Sequence, residues 1–165
     1  MKKLILFALS LVLVTSCFAQ RDIKTLDSRT PEEIIAIFGK PDVEDFSMNE
    51  YMDGVVFYQD KHFFFDLVQI NDSGDEAFLC GSIETCDPSL CVFTDRIDGG
   101  IKIGDPLSKL QLLGDVLQPN EMPYDIFSHP ANYVAFKDEC ESYFFSVENG
   151  VVTAFSVLEK DDCTE

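Results

Sequence analysis

The 165-residue chain carries 30 acidic and 12 basic side chains, a formal charge of −18, and 46% apolar residues. Such apolar content argues against disorder and suits one compact domain or two small fused units. The negative field repels nucleic-acid phosphates and anionic headgroups and speeds encounter with cationic proteins, although acids also serve simply to keep an exported protein soluble.

In chain order, Lys2 and Lys3 precede an apolar run from Leu4 to Val14. The run is too short to span a bilayer and has the layout of a secretory signal. The chain is therefore expected in the bacterial cell envelope, periplasmic or membrane-anchored, with secretion as the alternative. Two processing sites compete. Cleavage after Ala19 removes residues 1–19, whereas Val14-Thr15-Ser16-Cys17 resembles a lipobox, which would end the signal at residue 16 and acylate Cys17. Only that anchor would bring the protein to a membrane. Losing the two lysines with the signal takes the formal charge from −18 to −20.

Thr30 is placed to cap a helix, Pro31 suits its first position, and Glu33 completes a Thr-x-x-Glu capping box. Gly39 then supplies a left-handed residue past the helix end and Pro41 blocks continuation. Asp105, Pro106 and Gly114 repeat this punctuation at a constant offset of about 75 residues. Between the caps Ile34, Ile35, Ile37 and Phe38 answer to Lys109, Leu110, Leu112 and Leu113, one apolar stripe with a single exception. A helix of about eight residues is not stable alone in water and must lie on something.

After each helix a polar loop (40–54, then 115–132) leads to VVFYQD and then YVAFKD, followed by the aromatic strands HFFFDLV and SYFFSVE. A turn comes next, with Asn149-Gly150 a two-residue hairpin signal in the second copy, and each copy closes on an Ala-Phe strand, Ala77-Phe78 and Ala154-Phe155. The expected fold is α+β: two tandem helix-plus-antiparallel-meander repeats, residues 20–98 and 99–165, with the helices on one face of a continuous or paired antiparallel sheet.

This phrase around Gly39 and Gly114, with the strand order after it, resembles the tandem-repeat fold of the β-lactamase inhibitor protein and of related small envelope lipoproteins that assist outer-membrane protein assembly. The resemblance covers about residues 28 to 158 at the level of topology. Val116 stands where the second copy should carry proline. The resemblance implies a sheet that faces a protein partner and a non-catalytic role; no inhibitor contact residue is carried across.

Strand alternation assigns Phe63, Phe65 and Leu67, with Tyr143, Phe145 and Val147, to the core beneath the helices. Phe64, Asp66, Phe144 and Ser146 then point the other way and are the candidate partner-binding residues, since exposed aromatics are the composition of binding hot spots. The competing reading is that the 115–132 loop folds over this face and buries Phe64 and Phe144.

His62 and His129 are the only near-neutral bases and stand without a nucleophile, phosphate loop or metal-pair spacing, so neither catalysis nor a cofactor or metal is expected. Cys80, Cys86 and Cys91 are separated by five and four intervening residues, which is not zinc spacing. Disulfides suit the compartment: Cys140 with Cys163 would staple the last hairpin, and Cys91 would pair with Cys80 or Cys86. Asn71, Asp72, Asp75 and Glu76 lack the spacing of a calcium loop and read as a hairpin turn. The function expected is a non-enzymatic exported module that binds a basic protein, in one version as an inhibitor or immunity protein. The alternative is a lipid-anchored structural or assembly lipoprotein.

Overall fold

The structure is a computed structural model and describes residues 20–26, 29–45, 54–58, 63–69 and 78–159. Helix α1, Pro31–Phe38, begins as its sequence requires. The Glu33 N–H donates to Thr30 Oγ1 at 3.3 Å and the Thr30 N–H donates to Glu33 Oε2 at 3.0 Å, closing the capping box. Gly39 ends the helix at φ 85° and donates its N–H to the Ile35 carbonyl at 2.8 Å.

The second helix departs from the expected pattern. α2 covers only Leu107–Leu110 and runs on as 3-10 turns over Gln111–Val116, broken at Gly114, whose φ of 66° ends the helical winding where the sequence places the stop. Asp105 does not cap it; Pro106 holds the cap position, and no side chain bonds the first turn. The Asp105 carboxylate is occupied elsewhere, accepting from the Lys102 N–H at 2.9 Å and the Lys109 ammonium at 2.8 Å. Leu112, expected in the apolar stripe, is 69% exposed, because the tighter 3-10 winding carries it off the core-facing side while Leu110 and Leu113 stay buried.

Thirteen strands complete the described residues: β1 Arg21–Asp22, β2 Val43–Asp45, β3 Gly54–Tyr58, β4 Phe63–Gln69, β5 Phe78–Thr85, β6 Leu90–Val92, β7 Ile101–Lys102, β8 Leu117–Pro119, β9 Asp125–Ile126, β10 His129–Pro130, β11 Tyr133–Phe136, β12 Glu141–Glu148 and β13 Val151–Glu159. Eight form one antiparallel sheet in the order β2-β3-β4-β5-β13-β12-β11-β8. Its centre is the β5–β13 pair, with Thr85 opposite Phe155, Glu84 opposite Ser156 and Ile83 opposite Val157. The β12–β13 hairpin turns on Asn149 and Gly150 at φ 52° and 78°, the left-handed pair that an Asn-Gly turn requires. β1 runs parallel to β6 in a three-stranded sheet with β7, and β9 and β10 form a separate hairpin.

The main core lies on one face of the large sheet. Tyr143, Phe145, Phe155, Val157 and Ile83 point into it from the strands. Ile34 of α1, Leu110 of α2 and Leu113 meet them, joined by Leu90, Val92 and Ile101 of the small sheet and by Ile23 and Leu26. Each fully buried ring is worth about 1.5–3 kcal/mol, which offsets the short helices' inability to persist alone. The architecture is thus α+β, with the helical segments and small sheet covering one face.

Candidate functional site

The opposite face of the large sheet held the expected partner site. A cross-strand row runs from Gln118 through Val134, Phe144, Ser156 and Glu84 to the Phe64 position. Phe144 does not look out from it. Phe144 is 6% exposed and packs with Ile126, Ala131, Val134 and Ala154, with Tyr124 and Phe127 against the cluster. The chain between β8 and β11 folds over the Phe144 part of this face and buries it, which corrects the expectation that Phe144 and Ser146 are open to a partner. Ser146 is fully buried for a local reason: Thr153 Oγ1 lies 2.9 Å from its Oγ, beside a register shift in the β12–β13 pair. Phe64 and Asp66 belong to β4, Asp66 within a register shift of the β4–β5 pair, and their side chains lie outside the described residues.

Tyr124 holds the covering segment down. Its ring lies 4.8 Å from that of Phe144, its hydroxyl donates to the Glu84 carboxylate, and the same oxygen is 3.1 Å from Ser156 Oγ. The Ala131 N–H donates to the Tyr124 carbonyl at 2.8 Å. Reading 115–132 as a polar loop missed this latch; the Tyr-Asp-Ile-Phe run inside it was the available signal, because three large apolar bodies in four residues are rarely all left in water.

Asn120 fixes the outer part of the segment. Its Nδ2 donates to the carbonyls of Met122 at 2.9 Å and Ala131 at 2.7 Å, and its Oδ1 accepts from the Met122 N–H at 3.2 Å. Asn132 ties the return strand, donating to the Val147 carbonyl at 2.8 Å and accepting from the Val147 N–H at 2.9 Å. Held this way, Met122 stands 67% exposed between the exposed Glu121 and Asp125.

A second charged constellation lies on the helix-covered side. Glu141, 7% exposed, accepts from the ammonium groups of Lys24 and Lys137, the latter at 2.8 Å, and from the Tyr143 hydroxyl. Asp138, in the β11–β12 turn, accepts from the N–H groups of Cys140 at 2.8 Å and Glu141 at 2.9 Å; these bonds, that of Cys140 foremost, hold its carboxyl below the ordinary carboxylate range. Every polar group named here has a partner, and the constellation ties the Ile23–Leu26 segment to β12.

Cys140 is disulfide-bonded. Cys163 lies beyond the described residues, as does the side chain of Cys80. Cys86 and Cys91 are free, which corrects the expected Cys91 pairing. Their positions explain it. Cys91, on β6 of the small sheet, directs Sγ at the Arg21 carbonyl 3.5 Å away, whereas Cys86 packs on the Phe144 cluster across the large sheet. Burial pushes both thiols up to about 11.

His129 Nδ1 meets Glu148 Oε1 at 2.8 Å on the surface. His62, the 71–76 acids and Cys17 lie outside the described residues. Among the described residues no group of three His, Cys, Asp or Glu could hold a metal ion, and no helix is long and apolar enough to cross a membrane.

No family model and no curated protein matches the chain. A similar solved structure is that of an extracellular protein containing an SCP domain from Bacillus anthracis str. Ames, at a TM-score of 0.44 and 8% identity, covering 86% of this chain and 47% of that one. The chain thus spans about half the length of that protein.

Proposed function

We propose that this chain is a non-enzymatic, exported module that binds a basic protein, with an inhibitor or immunity role as its specific form. The observation that supports it is how the charges are disposed. Lys24 and Lys137 meet at Glu141, and Lys109 is held by Asp105, both carboxylates buried. Exposed acids, among them Glu32, Asp95, Asp98, Asp115, Glu121 and Asp125, have no ion-pair partner among the described residues. Exposed acids outnumber the exposed cations Arg21, Lys40 and Arg96 among the described residues, and the negative field they make would select and steer a cationic partner.

The strand order supports reading the sheet as two copies of one unit. β2-β3-β4-β5 and β8-β11-β12-β13 occupy mirrored places about the central β5–β13 pair, each following one helix. An antiparallel platform of this width is rigid, and rigidity lowers the ordering cost of docking.

The reading is tested by immobilising the mature protein, beginning at Gln20, and exposing it to exported proteins of its source cells. Retention of a basic protein that elutes as salt rises is expected; a partner that is acidic, or retained unchanged at high salt, contradicts it. The mass of the mature N-terminus decides separately between Gln20 and an acylated Cys17, the latter belonging to the lipid-anchored alternative.

A further inference from the structure

Building on that reading, we propose that the sheet edge formed by residues 111–125 is the docking surface, and that it takes an arginine- or lysine-rich protein segment with interspersed apolar side chains. β8 is the last strand of the large sheet, paired with β11 on one side. Leu112 before it and Met122 after it are the most exposed large apolar side chains among the described residues, at 69% and 67%.

The edge offers acceptors almost alone. Gln118 lies opposite Val134, and the Asn120 N–H donates to the Asn132 carbonyl at 3.0 Å, so alternation turns the backbone polar groups of Leu117 and Pro119 away from β11. Pro119 has no N–H, and the Leu117 N–H already donates to the Gly114 carbonyl. An outer strand needs donors and acceptors in turn, so this edge resists extension of the sheet. What remains is carbonyl oxygen with the exposed carboxylates of Asp115, Glu121 and Asp125. Between Lys109 and Lys137 the chain has no lysine or arginine, and His129 is engaged by Glu148. A surface of acceptors, negative charge and two apolar knobs is complemented by guanidinium or ammonium donors around apolar side chains. A second copy, itself at −18, is disfavoured by like-charge repulsion.

The test uses the mature protein, isotopically labelled for amide NMR, and two synthetic peptides: one of alternating arginine and leucine, the other with citrulline for every arginine. Saturable shifts confined to residues 111–125 are expected with the arginine peptide, weakened at least about tenfold with citrulline. Met122→Ala with Leu112→Ala should weaken binding about tenfold, as should Glu121→Gln with Asp125→Asn; these exposed sites leave the fold intact, checked by the unchanged amide spectrum elsewhere. Shifts saturating at another patch, or spread over Glu32, Asp95 and Asp98 alike, overturn the site while leaving a basic partner in place. Concentration-dependent shifts at 111–125 without peptide would identify a second copy and overturn it too. Absence of binding by the arginine peptide, with a basic exported protein still retained on the immobilised protein, overturns the site alone; absence of both overturns the site and the function together.

Discussion

Glu141 is a carboxylate that the fold keeps from water, and two ammonium groups and a phenol share its oxygens. Replacing it as Glu141→Gln leaves both lysines without their anion. The expected loss is about 2 kcal/mol, less than the roughly 3–5 kcal/mol of a fully buried pair because both ammonium groups still reach solvent. Denaturant melts measure it. Lys137 titrates above its ordinary 10.5, chiefly because its ammonium donates to Glu141. A folded pKa above the unfolded one contributes stability that is complete below pH 10.5 and lost as pH rises through the folded value. Lys137→Gln should therefore flatten the alkaline limb of a stability profile. Asp138, shifted downward, acts in the opposite window: its contribution is present above 3.8 and lost as pH falls through the folded value. The two free thiols give a further residue-level expectation. With both pushed up from 9.0 to about 11, alkylation of native protein should run about 100-fold slower than for an ordinary thiol, Cys91 slowest because it is buried in the small sheet. Mass spectrometry after timed alkylation reads this directly, and rapid labelling of Cys91 would contradict its placement.

At the scale of elements, the segment over Phe144 depends on one hydroxyl more than on its own length. Tyr124→Phe keeps the ring against Phe144 but removes the bonds to Glu84 and Ser156. Hydrogen exchange should rise across residues 124–131 and stay unchanged in β5 and β13, with a global loss of about 1–2 kcal/mol. Gly100 pins the turn before β7. A Cβ there would stand 2.8 Å from the Val92 carbonyl oxygen at φ 60°, so Gly100→Ala should destabilise by roughly 2 kcal/mol or more. These elements also separate what sequence could disclose from what it could not. α1 was legible because Thr30, Glu33 and Gly39 act within one turn of the residues they cap. The Asn149-Gly150 turn was legible for the same reason. Asp105 misled because its carboxylate answers to Lys102 and Lys109, a tertiary demand that a capping motif does not encode. Face parity along β12 was right, with Tyr143 and Phe145 beneath the helices, but parity does not say what lies over the other face. That depended on Tyr124 and Ile126, within a stretch that reads as polar.

For the whole molecule, a broad antiparallel sheet has one face under the helices and part of the other under the 120–132 segment, and exposed acids lie on its rims and loops, where the proposed docking would take place. The free energy of the charge arrangement is long-range and screened by salt, unlike the packing that holds the sheet. Stability and partner capture should therefore respond differently to ionic strength, stability weakly and capture strongly. The most direct measurement is the association rate constant between the mature protein and the purified basic partner, followed by stopped flow from about 10 mM to about 500 mM salt. A fall of at least about tenfold in that rate is expected, with the dissociation rate changing much less. An association rate independent of salt would contradict it.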